Sequence, residues 1–520
     1  MILTEKRQIF IAAILNYVTI ALGVIISFFY TPYCLSQLGD RIYGIRAFSL
    51  SLVSFLSLLS SAFSGSFLKF RAKLIKEKGQ DGEKLNNGIF LVIMSFLALI
   101  AVIIGVVISI VVGFIPLEDY SDSEKILIQI LIIVSTFNIM ISFPIGVFEM
   151  FVNANRKFIF VRTIALFATI ATPLASALIL MLRPGDPNAV IWISIVVPCV
   201  TLAYFPITLA FAIKKLRFKA SFDLGPETKK FIREIAIFSI FILASTIFSD
   251  LVRNANTIVL GFERPDDVAA YSIASTLMIY LTSIGAATTI GLYPKTYQLD
   301  SEKDYVGVNK LFIKSVDISS IVVFLIAGGF VAAGKPFISA WLGDQYVDNP
   351  EQLTIIYQAG CILFAAQLFP LTSLLSIEIM RNRNKHVFQT VALAAMLLMT
   401  FALAVPLCYY FGPIGGAWGL FASLIIGYGI ALPIFNWKVL HLPIVKYYSL
   451  VGIMVLLAGV SVGCALLLDH FMYDVVGEYH WLLFLIDGSA FVIVYSILCL
   501  IFKRKTIKEV INAVFKRNNS

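Results

Sequence analysis

Long apolar stretches alternate with short polar ones along the whole chain, and the apolar stretches have a telling length. A helix needs about 20 apolar residues to cross a bilayer. Fourteen segments meet that need, at roughly 9–34, 42–66, 88–115, 126–151, 161–182, 189–213, 235–261, 268–292, 312–334, 353–377, 387–410, 415–436, 447–468 and 481–502. Lipid offers no partner to an unpaired backbone group, so the pattern predicts an all-α polytopic helical bundle. The polar stretches between segments are short, which leaves no room for an extramembrane catalytic domain.

One segment breaks the pattern. Phe238–Gly261 (FSIFILASTIFSDLVRNANTIVLG) carries Asp250, Arg253, Asn254 and Asn256 inside an otherwise apolar run. At helical spacing Thr246, Asp250, Arg253, Asn254 and Thr257 form one stripe. A charged residue at mid-membrane costs roughly 2.5–3.5 kcal/mol on the insertion scale, so such a stripe is expected to face protein or a watery cavity. Arg253 lies about 27 Å along its helix from Ile235, at 1.5 Å per residue.

Charge fixes an orientation. Of the 40 lysines and arginines, 33 fall in the N-terminus, the C-terminal tail and alternate connections, five fall in the opposite connections, and Arg46 and Arg253 lie within spans. Positive residues favour the cytoplasmic side, so both termini are expected there, with the protein in the inner (cytoplasmic) membrane. The net charge of +9 then describes a rim beside anionic headgroups, and nucleic acid is excluded as a partner. Composition agrees with a membrane class: 59% of the 520 residues are hydrophobic and 14% charged, against about 25% charged in soluble domains.

The six cysteines are singletons in or beside apolar segments, without metal-ligand spacing, so no metal site or disulfide framework is expected. The run after Lys6 and Arg7 is too long for a signal peptide and reads as the first span. The tail from Lys503 can form an amphipathic surface helix with Ile507, Val510, Ile511 and Val514 on one side.

An internal repeat organises the segments. Phe143-Pro144, Glu149 and Asn155-Arg156-Lys157 are echoed by Phe369-Pro370, Glu378 and Arg383-Asn384-Lys385, and Leu38–Leu56 resembles Leu260–Leu281. The matches keep the same order six spans apart, so two six-helix lobes of equal orientation are expected, related by a pseudo-two-fold axis along the membrane normal. The expected domains are an N-lobe at 1–213, a basic linker at 214–234, a C-lobe at 235–436, two appended spans at 437–502 and a basic cytoplasmic tail at 503–520.

Certain motifs resemble a known family. Pro32, Leu38-Gly39 and Tyr43-Gly44 resemble the first outer turn of bacterial polysaccharide flippases, the O-antigen and capsule branch of the multidrug/oligosaccharidyl-lipid/polysaccharide exporter superfamily. Leu260-Gly261 with Ala270-Tyr271-Ser272 resembles that family's seventh and eighth helices, and FGPIGGAWG (Phe411–Gly419) its turn between helices 11 and 12. One departure stands out. Members often carry Asp-Arg just before the Leu-Gly of helix 7, where this chain has Asn256-Thr257. The resemblance implies a non-enzymatic transporter that flips a polyprenyl-diphosphate-linked oligosaccharide repeat unit to the outer leaflet by alternating access, for surface polysaccharide synthesis. Its implied partners are that lipid-linked oligosaccharide, membrane lipids, a glycan polymerase and glycosyltransferases.

For such a substrate the cavity needs fixed positive charge, and an arginine fork matches phosphate oxygens. Arg46, Arg253, Asp250, Asn254 and Asn256 are therefore the candidate cavity residues. Arg46 could instead snorkel to the surface, and Arg253 could simply neutralise Asp250. No cofactor is expected, although Asp250 could take H+ or Na+ for coupling. Glu149, Glu378 and Asp317 sit near inner helix ends as rim salt bridges or a gate, and Pro144 and Pro370 are candidate hinges. Asp487 is expected to be paired or at the rim. Two alternatives stay open: a drug or small-molecule cation antiporter of the same fold, and a membrane glycan polymerase or ligase.

Overall fold

The computed structural model describes residues 5–115, 117–222, 225–347, 349–383, 385–476, 479–504 and 506–509. Among them the chain is helical almost throughout, with no strand. The first helices are α1 (Glu5–Ser57), α2 (Ser61–Phe114), α3 (Asp122–Ala154), α4 (Phe158–Leu182), α5 (Ala189–Ala210), α6 (Pro226–Glu263) and α7 (Val268–Ile290). There follow α8 (Tyr293–Ser301), α9 (Tyr305–Leu342), α10 (Glu351–Ala366), α11 (Leu368–Thr372) and α12 (Leu374–Asn382). The last are α13 (His386–Leu424), α14 (Leu432–Lys438), α15 (Ile444–Val476) and α16 (His480–Phe502).

Among the described residues, eleven helical stretches are long and apolar enough to cross a membrane. Two of them, Ile11–Ser57 and Val387–Lys438, each hold two expected spans, and the expected span 235–261 lies on α6. All fourteen segments thus fall on helix, and the chain is a multi-pass membrane protein. The doubled stretches are merged across glycine kinks, at Gly39 (φ 74°) in α1 and Gly412 (φ 57°) in α13. Both glycines belong to the motifs that resemble family turns, and a Cβ would be strained at either φ.

Boundaries differ where polar residues continue a helix. The second span stops at Ser57 rather than 66, and the expected inner loop 67–87 is itself helical, part of α2 and turned at Gly79. The expected outer loop 335–352 is shortened because α9 runs to Leu342. With 38 residues, α9 is about 57 Å long and overshoots a hydrocarbon core of about 30 Å. The span 353–377 is divided into α10, α11 and part of α12, with breaks at Gln367 and Ser373.

The chain divides into two compact units, Met1–Ala269 and Ala270–Ser520. The sequence boundaries 1–213, 214–234 and 235–436 follow the repeat, whereas the first compact unit also takes in α6. Within the first unit, polar groups fasten helices that lipid cannot hold together by the hydrophobic effect. Ser66 and Ser239 share a 2.7 Å hydroxyl bond between α2 and α6, and Gln129 of α3 donates to Ser109 O of α2 at 3.0 Å. The second unit has an apolar centre where α9, α15 and α16 meet, with Phe312, Tyr447, Phe491 and Tyr495 buried. The Tyr495 hydroxyl donates to Ile321 O at 2.9 Å. Ile507 packs against this core, while Val510, Ile511 and Val514 lie outside the described residues.

Candidate functional site

The polar stripe of α6 lies in the first unit, and neighbouring helices sort its members. Ser54 of α1 donates to Asp250 Oδ2 at 2.6 Å. Asn254 Nδ2 donates to Ser54 Oγ at 3.2 Å and to the Asp250 carbonyl at 3.1 Å. Asp250, Asn254 and Ser54 are therefore one hydrogen-bonded cluster joining two helices. Asn256 and Thr257 are buried, and Thr246 closes on its own helix through Ile242 O at 2.7 Å.

Arg253 stands apart. Its side chain is exposed and has no ion-pair or hydrogen-bond partner among the described residues. The alternative in which Arg253 neutralises Asp250 finds no ion pair between them. Three residues of helix turn through about 300°, so the two side chains diverge by about 60°, and the Ser54 hydroxyl already satisfies the carboxylate. The stripe is thus two features: a hydrogen-bonded acid and a free guanidinium.

Arg46 lies on α1 after the Gly39 kink, eight residues before Ser54. It is half-buried, and its Nε is buried without a hydrogen-bond partner among the described residues. Tyr30 and Cys34 lie within its electrostatic reach. Both basic residues of the spans, Arg46 and Arg253, therefore lack an internal counter-ion among the described residues of the first unit. A guanidinium kept within a membrane segment without a carboxylate is a donor set fit for an anionic group.

The three acids expected at the inner rim behave differently from one another. Asp317 is buried and accepts from Lys503 Nζ at 2.6 Å and from the Thr506 hydroxyl, so it holds the start of the tail against α9. Glu378 pairs loosely with Arg381, at 3.6 Å. Glu149 has no ion pair or hydrogen bond among the described residues. It lines a cavity of about 370 Å³ with Ser60, Ser142, Asn153 and Tyr204. A rim salt bridge describes Asp317 and Glu378 but not Glu149, which has no ion pair among the described residues. Of the two positions expected for Asp487, paired or at the rim, full burial excludes the exposed rim.

The two candidate hinge prolines also part company. Pro144 lies inside continuous α3 and lines an apolar cavity of about 500 Å³ with Leu99, Val102 and Phe205. Pro370 lies in short α11, where the helix is broken on either side.

Two functional-looking groups do not stand out in the sequence pattern. Ser54 is one, although Ser51, Ser54, Ser57 and Ser60 recur at three-residue spacing and mark a polar face. Arg41 is the other, since its sequence position suggests only an outer-loop cation. It binds Glu124 at 2.7 Å, Asp266 at 2.8 Å and the Asp119 carbonyl, and its guanidinium lies 4.7 Å from the Tyr120 ring centroid. The Tyr120 hydroxyl donates to Gly261 O at 2.7 Å, and burial raises its phenol above the ordinary range. This clamp fastens the turn after the first span to the start of α3, the end of α6 and the turn that follows it. Among the described residues no cluster of His, Cys, Asp and Glu could hold a metal.

No protein-family model and no curated protein matches the sequence. Solved structures do match in fold. A lipid II flippase MurJ in an inward closed conformation superposes with a TM-score of 0.69 at 16% identity, over 95% of this chain and 99% of that one. An inward-facing multidrug resistance MATE family transporter of the MOP superfamily gives 0.56 at 13% identity, over 82% and 99%. The Vibrio cholerae MATE transporter VcmN gives 0.55 at 15% identity, over 85% and 99%. The fold is similar to that of the MOP transporters.

Proposed function

We propose that this chain is a flippase that moves a polyprenyl-diphosphate-linked oligosaccharide repeat unit from the cytoplasmic to the outer leaflet by alternating access. The observation that carries this reading is the pair of arginines, Arg46 and Arg253, held on spans without carboxylate partners among the described residues. Their forks suit the oxygens of a diphosphate. Similarity of fold to a lipid II flippase supports a lipid-linked substrate, and the family motifs at Leu38-Gly39 and Phe411–Gly419 support the polysaccharide branch. A glycan polymerase and glycosyltransferases are the expected partners on either side of the flipping step. Coupling to H+ or Na+ requires a carboxylate free of a fixed cation, and Asp250 and Glu149 are the described span acids of the first unit that qualify.

A specific observation favours a second reading. Glu149 faces a polar cavity without a counter-ion among the described residues, an arrangement suited to a cationic drug, and multidrug MATE transporters share the fold. Gene deletion separates the two. Lipid-linked repeat units trapped on the inner leaflet support the flippase, whereas normal glycan export with new dye sensitivity supports the antiporter. Purified protein that joins sugars in micelles would overturn both. Arg253→Ala is expected to abolish export while the protein still inserts, and full activity would remove Arg253 from the site. Partial activity in Arg253→Lys would assign the effect to charge more than to the bidentate fork.

A further inference from the structure

A second polar cavity lies in the first unit, on the face that the lysine and arginine bias assigns to the cytoplasm. Its volume is about 330 Å³, and Gln80, Glu83, Lys84 and Asn87 of α2 line it together with Phe151, Leu216, Arg217 and Lys219. The segment after α5 forms one wall as a strap laid on α2. Ser221 N donates to Lys84 O at 2.9 Å, and Asn87 Nδ2 donates to Lys219 O at 2.9 Å. The approach is close enough that a Cβ on Gly88 would come within 1.8 Å of Ser221 O. Arg217 holds a left-handed backbone (φ 57°), a conformation costly for a side chain of its size.

Three features of this cavity need a ligand to complete them. Lys84 is engaged by Asp81 at 2.7 Å and Glu83 by Arg71, but Arg217 and Lys219 have no carboxylate partner among the described residues. Asn87 is 1% exposed, and its Oδ1 has no hydrogen-bond partner there. Burying such an acceptor unmatched costs about 1–3 kcal/mol. Two free cations call for an anion, and the buried acceptor calls for a hydroxyl donor beside it. The Phe151 and Leu216 side chains offer an apolar wall for the carbons between.

We propose that this cavity binds a phosphorylated polyol, its phosphate held by Arg217 and Lys219 and a hydroxyl donated to Asn87. Bound there, the ligand stiffens the strap, which precedes α6 with its Asp250 and Arg253 in the sequence. The same chemistry is offered by the headgroup of phosphatidylglycerol and by a soluble polyol phosphate such as glycerol 3-phosphate. This site is separate from the arginines proposed for substrate, so it stands whatever the chain transports.

The test uses full-length protein in nanodiscs. Zwitterionic discs are titrated with glycerol 3-phosphate or with inorganic phosphate, and a parallel set contains phosphatidylglycerol. Native mass spectrometry reads bound ligand, and hydrogen exchange reads the backbone at 216–222. Retention of phosphatidylglycerol assigns the headgroup, and saturable binding of glycerol 3-phosphate assigns the soluble form. Either one, with exchange in the strap slowed severalfold, supports the proposal. The double variant Arg217→Gln, Lys219→Gln alters only side chains at the cavity surface and is expected to weaken binding at least tenfold. Gly88→Ala is expected to weaken it by displacing the strap. Absence of binding by both probes, or unchanged binding in the double variant, overturns the site. Inorganic phosphate binding as tightly as glycerol 3-phosphate overturns the polyol assignment.

Discussion

Each of the two compact units has an acid near the inner end of a span and close to basic residues, Glu149 in one and Asp317 in the other, so the pair is alike in sequence. Their surroundings are opposite. Asp317 is buried against Lys503 at 2.6 Å, with the Thr506 hydroxyl on its other oxygen. Glu149 shares a cavity of about 370 Å³ with hydroxyls and an amide and has no cation beside it among the described residues. The second unit thus consumes Asp317 in fastening the tail to α9 and Asp300 in binding Arg383 at 2.8 Å, while its Asp487, fully buried, has no ion pair among the described residues. The first unit leaves an acid and two arginines unspent. Charge kept within a membrane protein without a partner is retained at a cost, and function is the usual reason.

The largest effect is expected where the pair is closed. Asp317→Ala leaves Lys503 buried without its counter-ion, and breaking such a pair costs roughly 3–5 kcal/mol. Thermal unfolding in detergent should show a large loss, and the double change Asp317→Leu, Lys503→Met should recover most of it. A loss no greater than that of an exposed residue would erase the contrast between the units. A smaller effect is expected at the Ser54 cluster. Ser54→Ala removes the donor from Asp250 and strands a partly buried carboxylate, at about 1–3 kcal/mol. Unchanged unfolding would mean that water replaces the hydroxyl and that Asp250 is more open than its 2.6 Å bond implies.

The ease with which each feature can be read from sequence follows the range over which it acts. The spans are legible because lipid imposes length and apolarity on every one of them, whatever its neighbours. The kinks at Gly39 and Gly412 are legible too, since a positive φ demands a residue that sequence displays. The helical inner loop is not, because α2 continues through charged residues that a hydropathy pattern reads as a break. Partner choice is hidden for a different reason. Ser54 and Asp250 are 196 residues apart, and Asp317 and Lys503 are 186 apart. Helical periodicity places Asp250 and Arg253 on one side of α6, but only the neighbouring helix decides that one is bonded and the other free.

The smallest effect on stability is expected at Glu149, and there it carries the most meaning. Glu149→Gln keeps the shape of the side chain and removes its charge from a cavity that holds no cation among the described residues. With no ion pair to lose and an unpaired charge removed, stability should hold or rise slightly. Transport in proteoliposomes, driven by a pH or Na+ gradient, should nevertheless fall at least tenfold if Glu149 takes the coupling ion. The control is Glu378→Gln, which removes only a loose 3.6 Å pair with Arg381 and should leave gradient-driven transport close to that of the parent. Equal losses in the two variants would make both acids structural. A stability loss in Glu149→Gln comparable with that of Asp317→Ala would show that Glu149 is closed by a partner after all, and the two units would then treat their acids alike.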